Sequence, residues 1–184
     1  MIRTLPPWAF MALNIVGFQA VWLLCVYGAG QDYCLPGIAA AIAFAAASLA
    51  FSPEPRKDMQ TLALGLPLGA LMDTLLLQTG ILKFSHCAPF TGFAPVWILA
   101  LWLGFALTLN HSLKRIYAHP LPLFLFGFIG APVAYFIAAY RFDAMRLESD
   151  YVTGFLAIGL VWGLGLIALR SADNRLTQLR AKRT

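Results

Sequence analysis

Charge is what this chain has least of. Asp, Glu, Lys and Arg make up only 11% of its 184 residues, where a soluble domain carries about a quarter. So little charge excludes a water-solvated globule, a disordered chain and a soluble nucleic-acid-binding module. Polar stretches are equally short: "GQDYC", "SPEPRKD", "KRIYAHP" and "RFDAMRLESD" leave no room for a separate soluble domain. Three cysteines are too few for a disulfide framework. The chain has no H-E-x-x-H, no two-histidine metal spacing, no G-x-S-x-G and no phosphate loop. No metal or cofactor is therefore expected, and nothing specifies a reaction or marks the chain as an enzyme.

What is present is apolar. Hydrophobic residues make up 60% of the chain, and mean hydropathy is +0.75. Spanning lengths of about 17–25 residues fit near 8–29, 35–51, 60–80, 95–113, 120–140 and 150–169. The expectation is an all-α polytopic bundle of six transmembrane helices, forming one integral-membrane domain over residues 1–184. The segments lack the alternation of a membrane β-barrel and are about twice its strand length. The small residues "GAG" at 28–30 could end a cleaved signal, but the apolar run before them is long and only Arg3 precedes it. A retained first helix is expected.

Lys and Arg set the orientation. With the N-terminus in the cytoplasm, Arg3, Arg56, Lys57, Lys114, Arg115, Arg170, Arg175, Arg180, Lys182 and Arg183 lie inside, leaving Lys83, Arg141 and Arg146 outside. This asymmetry predicts both termini inside. The pI of about 9.4 then reflects membrane topology, and the basic tail is a headgroup-touching anchor. Cys34 and Cys87 both fall at outer helix ends, where an oxidising compartment would let them pair. Cys25 reads as a small buried side chain.

Asp73 is the conspicuous polar group. It stands in "LALGLPLGALMDTLLLQTG", and an ionisable residue at bilayer depth is a functional candidate by default. Gly65, Gly69 and Asp73 recur every four residues and Gly80 seven later, a stripe that would face other helices. Gly130, Ala134 and Ala138 form another such seam. Pro67 and Pro132 each remove a backbone donor and can kink a helix or free a carbonyl.

A second polar group, "LTLNHSLKR", closes segment four. On a continuous helix Thr108, His111 and Ser112 share a face and Asn110 points away. His111 could carry a proton or bind a ligand, or only hydrogen-bond at the helix end. Asp73 lies toward the outer half and His111 toward the inner end, which argues against direct contact. Asn14, Gln19 and Gln78 supply further polar groups, most simply for interhelical hydrogen bonds. His86 beside Cys87 makes a weak metal pair, and His119 reads as solvated. Trp8 and Trp97 are placed as interfacial anchors; Trp22 and Trp102, at mid-depth, could line a pocket or pack the core.

Three stretches, "GALMDTLLLQTGILKF", "PVWILALWLGFALTLNHSL" and "GFIGAPVAYFIAAYRFDAM", together resemble a family of small bacterial inner-membrane proteins known only as a domain of unknown function. The likeness extends over most of residues 14–146 and includes Tyr135; Ala131 stands where a glycine is usual. It implies a multi-pass protein of the bacterial inner membrane, encoded near enzymes that modify membrane fatty acids. Function is then expected to be accessory, in membrane-lipid or envelope metabolism, with membrane lipids and a lipid-modifying enzyme as partners. The "GxxxGxxxD" helix in a six-helix chain also looks like the substrate-binding subunits of energy-coupling-factor vitamin transporters. That likeness implies a small-molecule-binding subunit of a transporter instead.

Overall fold

The computed structural model describes residues 5–84, 87 and 91–182. Arg3, His86 and Arg183 lie outside the described residues. Proline in the first turn opens α1 (Pro7–Gly30), α2 (Leu35–Phe51) and α3 (Pro55–Gln78). There its fixed φ suits the helix and its missing N–H costs nothing. After α4 (Val96–Ala106) come the short α5 (Lys114–Tyr117) and a rod of α6 (Pro120–Leu125), a π turn (Phe126–Gly130) and α7 (Ala131–Phe142). α8 (Tyr151–Ala181) closes the chain.

Among the described residues, four helices are long and apolar enough to cross a membrane: Pro7–Gly30, Pro55–Gln78, Pro120–Phe142 and Tyr151–Ala181. At 1.5 Å per residue, even the shortest of them reaches beyond a hydrocarbon core about 30 Å thick. The apolar helices α2 and α4 are shorter. Leu71 and Leu75 on α3, Leu125, Ile129, Val133 and Ile137 on the α6–α7 rod, and Leu156, Leu160 and Leu164 on α8 are all exposed. Their four-residue spacing paints an apolar stripe on the outward face of each helix, as lipid contact requires.

The expected boundaries need correction at four places. Segment four does not run to residue 113 as a helix: α4 stops at Ala106 and residues 107–113 form tight turns. In those turns the N–H groups of Thr108 and His111 bond carbonyls three residues back. Segment three begins at Pro55, so Arg56, Lys57 and Asp58 are helical. The last helix continues through the basic tail to Ala181, because "RSADNRLTQLRA" holds no Gly or Pro to stop it. The all-helical expectation also missed a small ribbon, β1 (Leu82–Phe84) antiparallel to β2 (Met145–Leu147), with Lys83 facing Arg146.

α4 is the middle of the bundle, in contact with α1, α2 and α3, while α8 packs on α3 and on the α6–α7 rod. This central place explains how so short a helix persists: irregular backbone at membrane depth is tolerated where protein surrounds it. Trp97 on α4 is fully buried, with Phe84 edge-on to it, and is no interfacial anchor; Trp8 is 74% exposed. Small residues make the seams close. A Cβ on Gly127 would sit 2.9 Å from the backbone of Trp162 and Gly163, and one on Gly37 would strike the backbone of Cys25. Gly80 does not extend the α3 stripe. It has φ +70° with open space around it and turns the chain out of the helix. The π turn precedes Pro132, whose missing N–H leaves the helical ladder one donor short. A disulfide joins Cys34 at the start of α2 to Cys87, with Cα atoms 6.3 Å apart.

Candidate functional site

Asp73 is fully buried and held from two sides. Gly69, one turn earlier, has no side chain, so the Trp102 indole of α4 lies directly on the α3 backbone. From there its Nε1 donates to Asp73 Oδ2 at 2.7 Å. The Tyr135 hydroxyl of α7 donates to Asp73 Oδ1, and Trp162 Nε1 of α8 donates to the Tyr135 oxygen at 3.3 Å. Trp162 also stacks on Trp102, with centroids 4.6 Å apart and planes 20° from parallel. Three donors therefore converge on one carboxyl and one phenol oxygen. All three are neutral donors.

Beside this group lies a cavity of about 150 Å³. Trp22 of α1, Trp97 and Trp102 of α4, Tyr135 of α7 and Trp162 of α8 supply aromatic wall, and among the described residues Asp73 is the one ionisable acid or base lining it besides the Tyr135 phenol. Space exists because the α6–α7 rod presents Gly130, Ala134 and Ala138 to it; a Cβ on Gly130 would meet nothing within 4 Å. This seam was expected to be a close helix contact and is a cavity wall instead. Phe18, Trp22, Leu101, Phe126, Gly130, Ala134 and Trp162 of the lining are only half-buried, so the cavity is not sealed. An engineered cavity of this size admits benzene.

A second polar cluster sits at the far end of α3. Asp58, buried in its first turn, accepts from Asn110 Nδ2 (3.0 Å), from the Ser52 hydroxyl and from His111 Nε2 (2.8 Å). Asn110 Nδ2 also donates to Thr61 Oγ1 at 2.9 Å, and Thr61 donates to Asp173 Oδ2 at 3.1 Å. Gln60 Nε2 and the Tyr117 hydroxyl complete the donors to Asp173. Burial first, then the Asp173 charge, pushes the Tyr117 phenol above its ordinary range, which keeps it a donor. The helical-face reasoning for Asn110 and His111 fails here. Once the helix gives way to turns after Ala106, the two side chains converge on Asp58 from adjacent positions.

The other expected residues separate. Asn14 Nδ2 donates to the Leu107 carbonyl, and its Oδ1 accepts from the Ser112 backbone and hydroxyl. Thr108 bonds only its own turn, at the Phe105 carbonyl. Gln78 is exposed and donates to Gly92 O, and Gln19 is exposed on α1. Neither approaches Asp73's bonding set. Asp58 and Asp173 went unnoticed in the sequence because one stood in a charged connection and the other in a basic tail. The four-residue step from Asp173 to Thr177 was a weak helical hint. Trp162, two turns of α8 beyond Gly154, carried no signal of its own. Among the described residues, no three His, Cys, Asp or Glu side chains gather as metal ligands would.

Long apolar helices with exposed apolar stripes make this a multi-pass membrane protein, with a buried carboxyl beside a cavity between its helices. The chain belongs to the family described as "Protein of unknown function (DUF2878)", whose model matches residues 11–168. Neither the curated proteins nor the solved structures contain a match.

Proposed function

We propose that this protein is an accessory component of the bacterial inner membrane that holds a lipid or lipid-like amphiphile, part of it in the cavity beside Asp73. It has six membrane segments with both termini in the cytoplasm and serves membrane-lipid or envelope metabolism, with a lipid-modifying enzyme as its partner. The cavity carries the reading. It is walled almost wholly by apolar and aromatic groups, several of them only half-buried, as an acyl chain or other apolar group would require. The orientation is supported by the Cys34–Cys87 disulfide, which belongs to an oxidising compartment, and by the Arg56, Lys57, Lys114 and Arg115 group. The alternative, a transporter subunit for a hydrophilic solute, is disfavoured by the same walls. A polyhydroxylated or anionic solute would meet a carboxylate and aromatic faces where it needs donors.

Native mass spectrometry of the purified protein tests the reading. A retained lipid is expected, and Ala134→Phe, which fills the cavity, should abolish its retention while the protein stays folded. Retention unchanged in that variant, or a water-soluble solute in place of the lipid, would overturn it.

A further inference from the structure

Asp73 is buried and has no counter-ion among the described residues. Its partners are the Trp102 indole and the Tyr135 hydroxyl, both neutral. No Lys, Arg or His stands among the cavity residues, and no ion pair to Asp73 occurs among the described residues. Two neutral donors offset part of the cost of burying a negative charge, and a bound cation would offset the rest. The walls around it are aromatic. Trp22, Trp97, Trp102, Trp162 and Tyr135 all border the same cavity. Indole faces attract a desolvated cation more strongly than any other side-chain ring.

We infer that the group bound against Asp73 is an organic cation, a quaternary or protonated amine, held by the carboxylate and by the aromatic lining that the Trp102–Trp162 stack leaves free, Trp22 above all. The inference rests on the cavity being the binding site proposed above and names the chemistry of its occupant. A metal ion fits poorly. Hard cations take six or more oxygen ligands, and here the walls offer the Asp73 carboxylate and the Tyr135 oxygen. A methylated ammonium needs no such shell, because its charge is spread over carbon-bound hydrogens that lie well against rings. The volume, about 150 Å³, suits a group close to benzene in size. On the reading above the amine is carried by a lipid or lipid-like amphiphile, and choline serves as a soluble probe of its headgroup.

The test uses the whole protein in dodecyl maltoside, an uncharged detergent, at constant ionic strength. Choline chloride is compared with its neutral carbon isostere, 3,3-dimethylbutan-1-ol, by titration calorimetry and tryptophan fluorescence. Choline should bind and perturb the fluorescence, and the isostere should bind roughly tenfold more weakly or worse. D73N should erase that preference. Should D73N fail to fold, Trp22→Leu leaves Asp73's bonds in place and should weaken choline more than the isostere. Equal binding of the two probes would overturn the cation inference and leave the cavity reading standing. If neither probe binds, the retained lipid decides. An amine-bearing lipid supports the inference with the lipid as source. A neutral or anionic lipid without an amine overturns the inference alone, and no retained ligand at all overturns both readings.

Discussion

Asn14 of α1 donates to the carbonyl of Leu107, 93 positions along the chain and 3.1 Å away. With its Oδ1 it also takes the Ser112 N–H. One amide side chain thus serves a donor and an acceptor that the turns after α4 would leave bare. The irregular stretch it braces carries Asn110 and His111 to Asp58.

Asn14→Leu should therefore act as more than a surface change. The buried Leu107 carbonyl loses its partner at a cost of about 1–3 kcal/mol, and the half-buried Ser112 N–H loses its acceptor as well. Thermal unfolding in detergent should show a clear loss of stability. An unchanged midpoint would mean that the turns hold without the brace.

Asp58→Ala removes the acceptor for Ser52, Asn110 and His111 together. Leaving even one of these donors unpaired costs about 1–3 kcal/mol. The expected result is destabilisation larger than that of His111→Ala, which removes only one of the three donors. Denaturation of the two variants side by side measures the difference.

Gly69 and Gly130 should respond in opposite ways to alanine. At Gly69 the added Cβ would occupy the Trp102 indole, so the ring must move and its bond to Asp73 break, an overpacking cost of about 1–3 kcal/mol. At Gly130 the Cβ meets open space, and the helical backbone should gain about 0.5–1 kcal/mol from lost glycine freedom. Thermal midpoints and tryptophan emission of the two variants check both signs.

The Cys34–Cys87 disulfide closes a separation of 53 residues. On the chain-entropy account such a cross-link contributes about 4 kcal/mol. Protein isolated from membranes without reductant should yield the linked peptides on mass mapping. Reduction should lower the unfolding midpoint in detergent, and C34S should already sit at that lower value.

Asp150 caps α8 by accepting the N–H groups of Val152 (3.1 Å) and Thr153 (3.0 Å). The Thr153 N–H first, with that of Val152, holds its carboxyl below the usual carboxylate range. Because the folded value is depressed, the cap's contribution is present above the unfolded pKa near ~3.9. It is lost as pH falls through the folded value. Amide exchange at Val152 and Thr153, relative to intrinsic rates, should rise in that acid window. D150N should show no such rise.

Local signals in the sequence suffice where the physics is local. The ends of α2 follow from an apolar run with proline in its first turn and Ser-Pro beyond its end. The Gly65–Gly69–Asp73 stripe does turn Asp73 into the protein, because four-residue spacing fixes a helical face whatever lies opposite. The same rule misplaced Asn110 and His111, since it holds only while the backbone is helical, and α4 ends at Ala106. It also read Gly130, Ala134 and Ala138 as a contact seam. Small residues permit close approach but do not compel it, and here they face a cavity.

Run length, proline placement and the scarcity of charge determined the membrane class and most of the helices, because each is a property of a few consecutive residues. Only the tertiary structure decided which polar groups meet. Asp58 finds His111 across 53 positions, Asp73 finds Tyr135 across 62, and Gln60 finds Asp173 across 113. A buried polar group must have a partner, but the need for one does not say where in the chain it stands. The packing of α3, α4, α7 and α8 settled that, and with it whether Asp73 would be sealed or left facing a space.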